Sequence, residues 1–365
     1  MQPTGMRVSL PRFAATPRDA VEDLLELQEE PFPDVAKLQP TEVVIGVRAA
    51  SVAFVDLIMS TGQYQHMATP PYTPGVEFAG EVLWVGAAVR DFRPGDPVIA
   101  DYMAVGPRSK GGYQRSGGWA SFAIVPETAL FRAPTGFSFA ESCVFFTGYE
   151  TAYFALVKRA QLQAGETVLI TGASGATGMA AIQLAKRLGA IVIASGRTAA
   201  KLAECARFGA DHIVEISGGA QELRSQIKDL TQGRGVDVVY DTVGGAVGFA
   251  AFRSLAFCGR YVIVGWASNI AESNGRETFE PDRLPTNIMQ MKGLQVMGSP
   301  MVIYSMQNPE WRNAQLNALR RMAEDGLLRP HVATQFPLTD FRAAARAKLD
   351  GAIVGNCILT IDPTP

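Results

Sequence analysis

Residues 166–196 read Glu-Thr-Val-Leu-Ile-Thr-Gly-Ala-Ser-Gly-Ala-Thr-Gly-Met-Ala-Ala-Ile-Gln-Leu-Ala-Lys-Arg-Leu-Gly-Ala-Ile-Val-Ile-Ala-Ser-Gly, and no other stretch constrains the chain as tightly. The apolar run Val168–Ile170 predicts a buried strand. A turn with Gly172, Gly175 and Gly178 follows. Ala181, Leu184, Ala185 and Leu188 then fall at helical spacing, Gly189 closes the helix, and Ile191–Ala194 predicts a second buried strand. Strand, glycine turn, helix, strand is the unit that binds a dinucleotide. The turn must pass close to a pyrophosphate, which a Cβ at Gly175 would obstruct, and Gly178 lets the helix pack against the strand. The helix N-terminus points free N–H groups and a positive dipole end at the phosphates. Ala173, Ser174, Gly175, Ala176, Thr177 and Gly178 are therefore candidate cofactor contacts. Ala173 stands where the G-x-G-x-x-G pattern has its first glycine, a departure from the fingerprint.

A chain of 365 residues, 47% of them apolar, has room for two domains with sizeable cores. Its net charge of −2 gives no electrostatic reason to expect nucleic acid or an anionic membrane. Met1–Leu10 has no signal-peptide core, and no stretch reaches the length of a membrane-spanning helix. Cys143, Cys205, Cys258 and Cys357 are scattered without a C-x-x-C, which fits buried thiols in a reducing cytoplasm.

Residues 6–46 alternate short strand-like runs with Pro-rich turns, and Pro-Gly turns continue through residues 73–100, as in a small barrel-like β domain. Residues 105–118 hold five glycines with Arg108, Lys110 and Arg115, which predicts a mobile, solvated surface loop. From Ala140 the elements lengthen. A helix is predicted over Ser142–Val157, and strands and helices then alternate to Leu294–Gly298, the signature of a doubly wound parallel sheet. Two strands and a helix after residue 330 suggest that the tail returns to the β domain. The expected division is 1–146 with 299–365 for the β domain and 147–298 for the parallel sheet.

At this point the chain resembles a family, the zinc-free medium-chain dehydrogenases/reductases of the quinone oxidoreductase type. The resemblance runs nearly end to end. It is carried by Ser51-Val-Ala-Phe-Val-Asp-Leu, Gly62-Gln-Tyr, Pro74-Gly-Val-Glu-Phe-Ala-Gly, Arg93-Pro-Gly-Asp-Pro-Val, Thr151-Ala-Tyr, Gly165-Glu-Thr-Val-Leu-Ile-Thr-Gly-Ala-Ser-Gly, Asp237-Val-Val-Tyr-Asp-Thr-Val-Gly and Leu284-Pro-Thr-Asn. It implies an α/β chain in which a GroES-like β-barrel catalytic domain carries an inserted Rossmann sheet. It also implies a homodimer and NADPH-dependent reduction of a quinone or an electron-poor C=C. Metal ligands of zinc relatives would fall at Ala53 and Val76, whose side chains cannot bind a metal, so metal-free chemistry is expected. The family often has Asn where this chain has Ala53.

An NAD site carries an acid about twenty residues after the glycines. Here the second strand ends Ala194-Ser-Gly-Arg-Thr-Ala-Ala-Lys201, without one. Ser195, Gly196, Arg197 and Lys201 suit a 2′-phosphate instead, which points to NADPH. By resemblance, Thr151, Val243, Gly244, Val264, Gly265 and Trp266 also contact the cofactor. Phe54, Tyr64, Tyr149, Trp266 and Asn287 would line a substrate cleft. Tyr64 is the candidate acid for an enolate, and its other reading is a ring packed on the cleft wall. Asp56 is a second catalytic candidate, with a structural hydrogen-bond acceptor as the stronger reading. Two other functions stay open: an acyl-CoA ene-reductase, with Arg108, Lys110 and Arg115 gripping CoA phosphates, and a non-catalytic NADPH- or RNA-binding protein.

Overall fold

The computed structural model of the chain describes residues 4–64, 66, 68–109, 111–267 and 282–362. It forms two compact units, Met1–Phe145 with Pro330–Pro365, and Phe146–Arg329.

In the first unit, β1 (Thr4–Ser9) and β2 (Glu26–Pro31) form an antiparallel hairpin. The main sheet uses β3 (Glu42–Ser51), β4 (Phe78–Val85), β5 (Pro97–Ala100), β6 (Phe122–Pro126) and β7 (Leu130–Arg132). Nearly every residue of β3 is buried, because β3 is a central strand that pairs with both β4 and β6. Val43, Ile45 and Val47 enter one core with Phe78, Val98, Trp119 and Val125. The Trp119 indole N–H is satisfied inside that core by the Ser51 carbonyl at 2.8 Å.

The second unit holds β8 (Thr167–Ile170), β9 (Ile191–Gly196), β10 (His212–Glu215), β11 (Val236–Asp241), β12 (Leu255–Ile263) and β13 (Gln295–Gly298). All pairings among them are parallel, in the order β10-β9-β8-β11-β12-β13. The chain starts mid-sheet at β8, runs outward to β10, then crosses back to β11. The strand order therefore reverses between β8 and β11, where doubly wound sheets open a crevice at the carboxyl ends of their strands.

The tail then supplies β14 (Val332–Pro337) and β15 (Asn356–Thr360), and β15 pairs with β3 in the first unit. Residues 299–329, expected with the β domain, belong to the Rossmann unit. Arg312 forms a buried ion pair with Glu150 at 3.1 Å, and Gln315 donates to the Glu150 carbonyl at 2.7 Å. Phe154, Tyr304 and Trp311 stack beside them, with ring centroids 5.1–5.4 Å apart. Sequence periodicity carries no sign of this ion pair, whose partners lie far apart in the chain.

The expected helix over Ser142–Val157 is broken into Phe139–Cys143, Phe145–Tyr153 and a wider turn at Phe154–Arg159. Three of the free cysteines are buried as expected, and Cys258 is exposed. It sits at φ 60° in a stretch where the register between β11 and β12 shifts. Among the described residues, no helix is long and apolar enough to cross a membrane.

Candidate active site

The glycine turn is shaped by contacts that a side chain would break. Gly172 sits at φ 58°, a left-handed conformation that favours glycine. A Cβ on Gly178 would lie 2.5 Å from the Ala173 carbonyl oxygen, so the helix Ala176–Arg187 packs on the turn only without one. Gly175 differs. Its Cβ would meet only the Gly172 carbonyl, at 3.3 Å, and would otherwise fill the mouth of the turn. That cradle suits a pyrophosphate approaching the backbone. Gly175 is the N-cap, and no side chain caps the helix there, which leaves its first amides without a side-chain acceptor at the cap.

Across the switch point, the buried carboxylate of Asp241 organises the second wall. It accepts from the Thr171 and Tyr261 hydroxyls. It also accepts from the Val243 amide at 3.0 Å and the Gly244 amide at 3.2 Å. The Asp241 carbonyl takes the Val264 and Gly265 amides at 2.8 and 3.1 Å. One residue thus fixes the loops that hold Val243, Gly244, Val264 and Gly265 at the ends of β11 and β12. Asp241 is absent from the sequence-derived site. Its signal was an acid closing the apolar run Val-Val-Tyr of β11. Trp266 follows as an exposed ring, and Thr151 is half-buried on the helix Phe145–Tyr153.

At the end of β9, Arg197 is exposed and Lys201 is half-buried. Burial, and then the nearby Arg197 charge, hold the Lys201 ammonium below the usual lysine range. Two cations close enough to repel each other suit a doubly charged phosphate. Ser195 departs from expectation. It is fully buried and its hydroxyl faces the Ile170 carbonyl at 3.4 Å, because alternate residues of a central strand point into the unit. Tyr149 also departs from its expected place in a cleft: it is 2% exposed and its hydroxyl faces Gln183 and Arg329 inside this unit. Asn287 is exposed on the helix Thr286–Lys292.

In the first unit, Asp56 lies on the short helix Phe54–Met59, which begins at the half-buried Phe54. Its carboxylate accepts from the amides of Ala53 at 3.1 Å and of Gly75 and Val76 at 3.0 Å each. The two positions where zinc relatives carry ligands are thus tied together by backbone bonds to one acid. Both oxygens are committed to the scaffold, which is the structural reading of Asp56 and leaves no free base. Burial pushes its carboxyl up to about 7. The folded value lies above the unfolded one, so its contribution to stability is complete below pH ~4 and is lost as pH rises through the folded value. Asp56→Asn would turn an amide NH₂ toward a backbone N–H. A loss of about 1–3 kcal/mol is expected, seen as a lower Tm, with kcat of the folded enzyme kept. Lost kcat at an unchanged Tm would return Asp56 to the chemistry.

Tyr64 is half-buried, and its hydroxyl accepts from Arg108 Nη2 at 2.6 Å. Arg108 was expected in a solvated loop, and it is 8% exposed. Its guanidinium lies 5.4 Å from the Tyr64 ring centroid and 5.3 Å from that of Tyr102. Aromatic faces shelter a cation that composition alone places in water. Arg115 is exposed as expected, and Lys110 lies outside the described residues.

Comparison with known proteins gives the family. Residues 39–135 match the alcohol dehydrogenase GroES-like domain, and residues 176–317 match the zinc-binding dehydrogenase family. Quinone oxidoreductase-like protein 2 of Bos taurus is 34% identical over 325 residues, 89% of this chain and 86% of that protein. The chain belongs to the medium-chain dehydrogenase/reductase family, in its quinone oxidoreductase-like group. Solved members of similar fold include a probable oxidoreductase from Mycobacterium abscessus, at 28% identity and a TM-score of 0.78 over 99% of this chain and 100% of that one. The CurF ER cyclopropanase of the curacin A biosynthetic pathway shares 25% identity at a TM-score of 0.77, over 98% and 99% of the two chains. This medium-chain member is an oxidoreductase that binds a nicotinamide cofactor. Among its described residues, no three His, Cys, Asp or Glu side chains group to hold a metal ion.

Proposed function

We propose that the protein is an NADPH-dependent reductase that delivers a hydride to a quinone or to the electron-poor C=C of an enone or enal, without a metal. The observation that carries this is the chemistry at Ala53 and Val76. Neither side chain has a donor atom, and their amides are spent on Asp56. Without a Lewis acid, the acceptor must already be polarised by conjugation. Quinones and enones are. The quinone oxidoreductase-like relatives support the same class.

NADPH, when bound, supplies the hydride. Residues 173–178 with Val243 and Gly244 would hold its pyrophosphate. Arg197 and Lys201 would hold the 2′-phosphate. Thr151 and the backbone of Val264–Trp266 would face the nicotinamide. Tyr64 donates the proton that the enolate requires. Its hydroxyl accepts from Arg108, which leaves its own O–H free to donate.

The test is NADPH oxidation across quinones, enones and enoyl-CoA esters, before and after chelation. Turnover of quinones and enones that survives chelation is the expected result. Loss of activity on chelation would contradict the metal-free reading. Activity on enoyl-CoA alone would favour an acyl-CoA ene-reductase, and no activity a non-catalytic cofactor-binding protein.

We also propose a homodimer joined along β13. It is the edge strand of the parallel sheet. Phe257, 76% exposed, and Met291, 73% exposed, add apolar surface to the β12–β13 end of that sheet. An unprotected apolar edge invites pairing. Sedimentation at micromolar concentration should give a dimer, and a monomer would contradict this. Four free cysteines support a reducing, cytoplasmic setting. Cell fractionation that recovers the protein elsewhere would contradict that.

A further inference from the structure

Arg108 is a buried cation without a counter-charge among the described residues. None of the ion pairs among the described residues includes it. Its Nε and Nη1 are buried and reach no acceptor among the described residues. Its one hydrogen bond among the described residues is to the Tyr64 hydroxyl, at 2.6 Å. Burying a charge without a partner is costly, and the two tyrosine rings offset only part of that cost. The backbone around it is pinned. Gly106 N donates to Tyr113 O at 3.0 Å, and the Ser109 hydroxyl donates to Gly106 O at 2.7 Å. The side chain is therefore held in place for an acceptor oxygen.

The bond to Tyr64 carries a second consequence. A guanidinium has donors only. The Tyr64 oxygen accepts from Arg108, so its own proton must point elsewhere. Arg108 thus leaves Tyr64 as a donor and presents two further donor nitrogens, Nε and Nη1, beside it.

We propose that Arg108 is a catalytic residue that binds the substrate's carbonyl oxygen and stabilises the negative charge that reduction places there. The proposal rests on the reductase reading above. Hydride addition at the β carbon of an enone breaks the C=C π bond and moves its electron pair toward the carbonyl, whose oxygen becomes an enolate. In a quinone the same addition gives the enolate of an enedione, which becomes a hydroquinone anion once a proton leaves the attacked ring carbon and one is taken up on oxygen. One of the two unpartnered donor nitrogens of Arg108, Nε or Nη1, donates to that oxygen. Tyr64 then passes its proton to the enolate and recovers one from water. The guanidinium does in this site what a metal ion does in zinc relatives, at a fixed position and without reorganising.

The experiment compares wild type, Arg108→Lys and Arg108→Gln on a neutral enone and on the same enone carrying a carboxylate. Removing one oxyanion donor costs about 10²–10³-fold in kcat. Arg108→Gln should lose that much on the neutral enone, with KM and the Kd for NADPH little changed, and Arg108→Lys should recover part of it. A kcat within about twofold of wild type would overturn the proposal. So would a rise in KM confined to the carboxylate substrate, which would make Arg108 a holder of a permanent anion. A second readout is independent of turnover. Binding of 4-nitrophenolate, followed by its absorbance shift, should weaken about tenfold or more in Arg108→Gln, as for a lost charge-assisted hydrogen bond. Unchanged phenolate binding would overturn the anion site even if the protein reduces neither enones nor quinones. If Arg108→Gln does not fold, Arg108→Lys and guanidinium rescue of Arg108→Ala carry the same test, and absence of rescue in a folded Arg108→Ala protein counts against it.

Discussion

Tyr64→Phe is expected to lower kcat for enones by about 10²–10⁴-fold, the range of general acid catalysis, with no change in the Kd for NADPH. The ring stays, so packing around Arg108 and the cation–π contact are kept. Only the hydroxyl is lost, together with the bond it accepts from Arg108. Quinones should suffer less, because a hydroquinone anion can take its proton from water. Near-full kcat for both substrate classes would make Tyr64 a wall residue. Equal losses for both classes, with weaker NADPH binding, would make it a support for the cofactor. Steady-state kinetics on one enone and one quinone, with a fluorescence titration of NADPH, separates the three outcomes.

Arg197→Ala is expected to weaken NADPH by tenfold or more and to leave NADH nearly untouched. A charge-assisted contact to a phosphate is worth about 1.5–3 kcal/mol, and only NADPH carries the 2′-phosphate. The repulsion between Arg197 and Lys201 points the same way. A phosphate between the two cations would relieve it, so Lys201→Ala should act in the same direction. The exposure of Arg197 puts its effect toward the lower end of the range, and that effect should shrink with added salt. Equal changes in KM for both cofactors would remove these residues from the 2′-phosphate.

The Rossmann unit was legible because its determinants are local. Apolar runs, glycines at fixed offsets and helical spacing each predict one element, and the parallel order follows from their alternation. The strand predicted at Leu294–Gly298 is β13, at the sheet edge where it was expected. The unit boundary was not legible. Residues 299–329 are tied to this unit by contacts such as Glu150 with Arg312, a pair of 162 residues' separation that no local pattern registers. Ser195 read as a phosphate donor by its position after the second strand. The pleat turns it inward, and pleat phase at a strand end is not specified when both faces of a strand are buried. The burial of Arg108 against Tyr64 was not legible for a related reason. An arginine among glycines reads as solvated, and the tyrosine that receives it stands 44 residues earlier. Asp241 reads as one acid among many until its contacts with Thr171 and Tyr261 are in view.

The central claim is a hydride passed from NADPH to an electron-poor carbon. It is tested most directly with NADPH deuterated at C4 on either face, one enone, and analysis of the product. One of the two labelled cofactors should place a single deuterium on the former β carbon, with a slowed single-turnover rate, and the α carbon should take its hydrogen from solvent. A reduced product free of deuterium from both labelled cofactors would contradict the account.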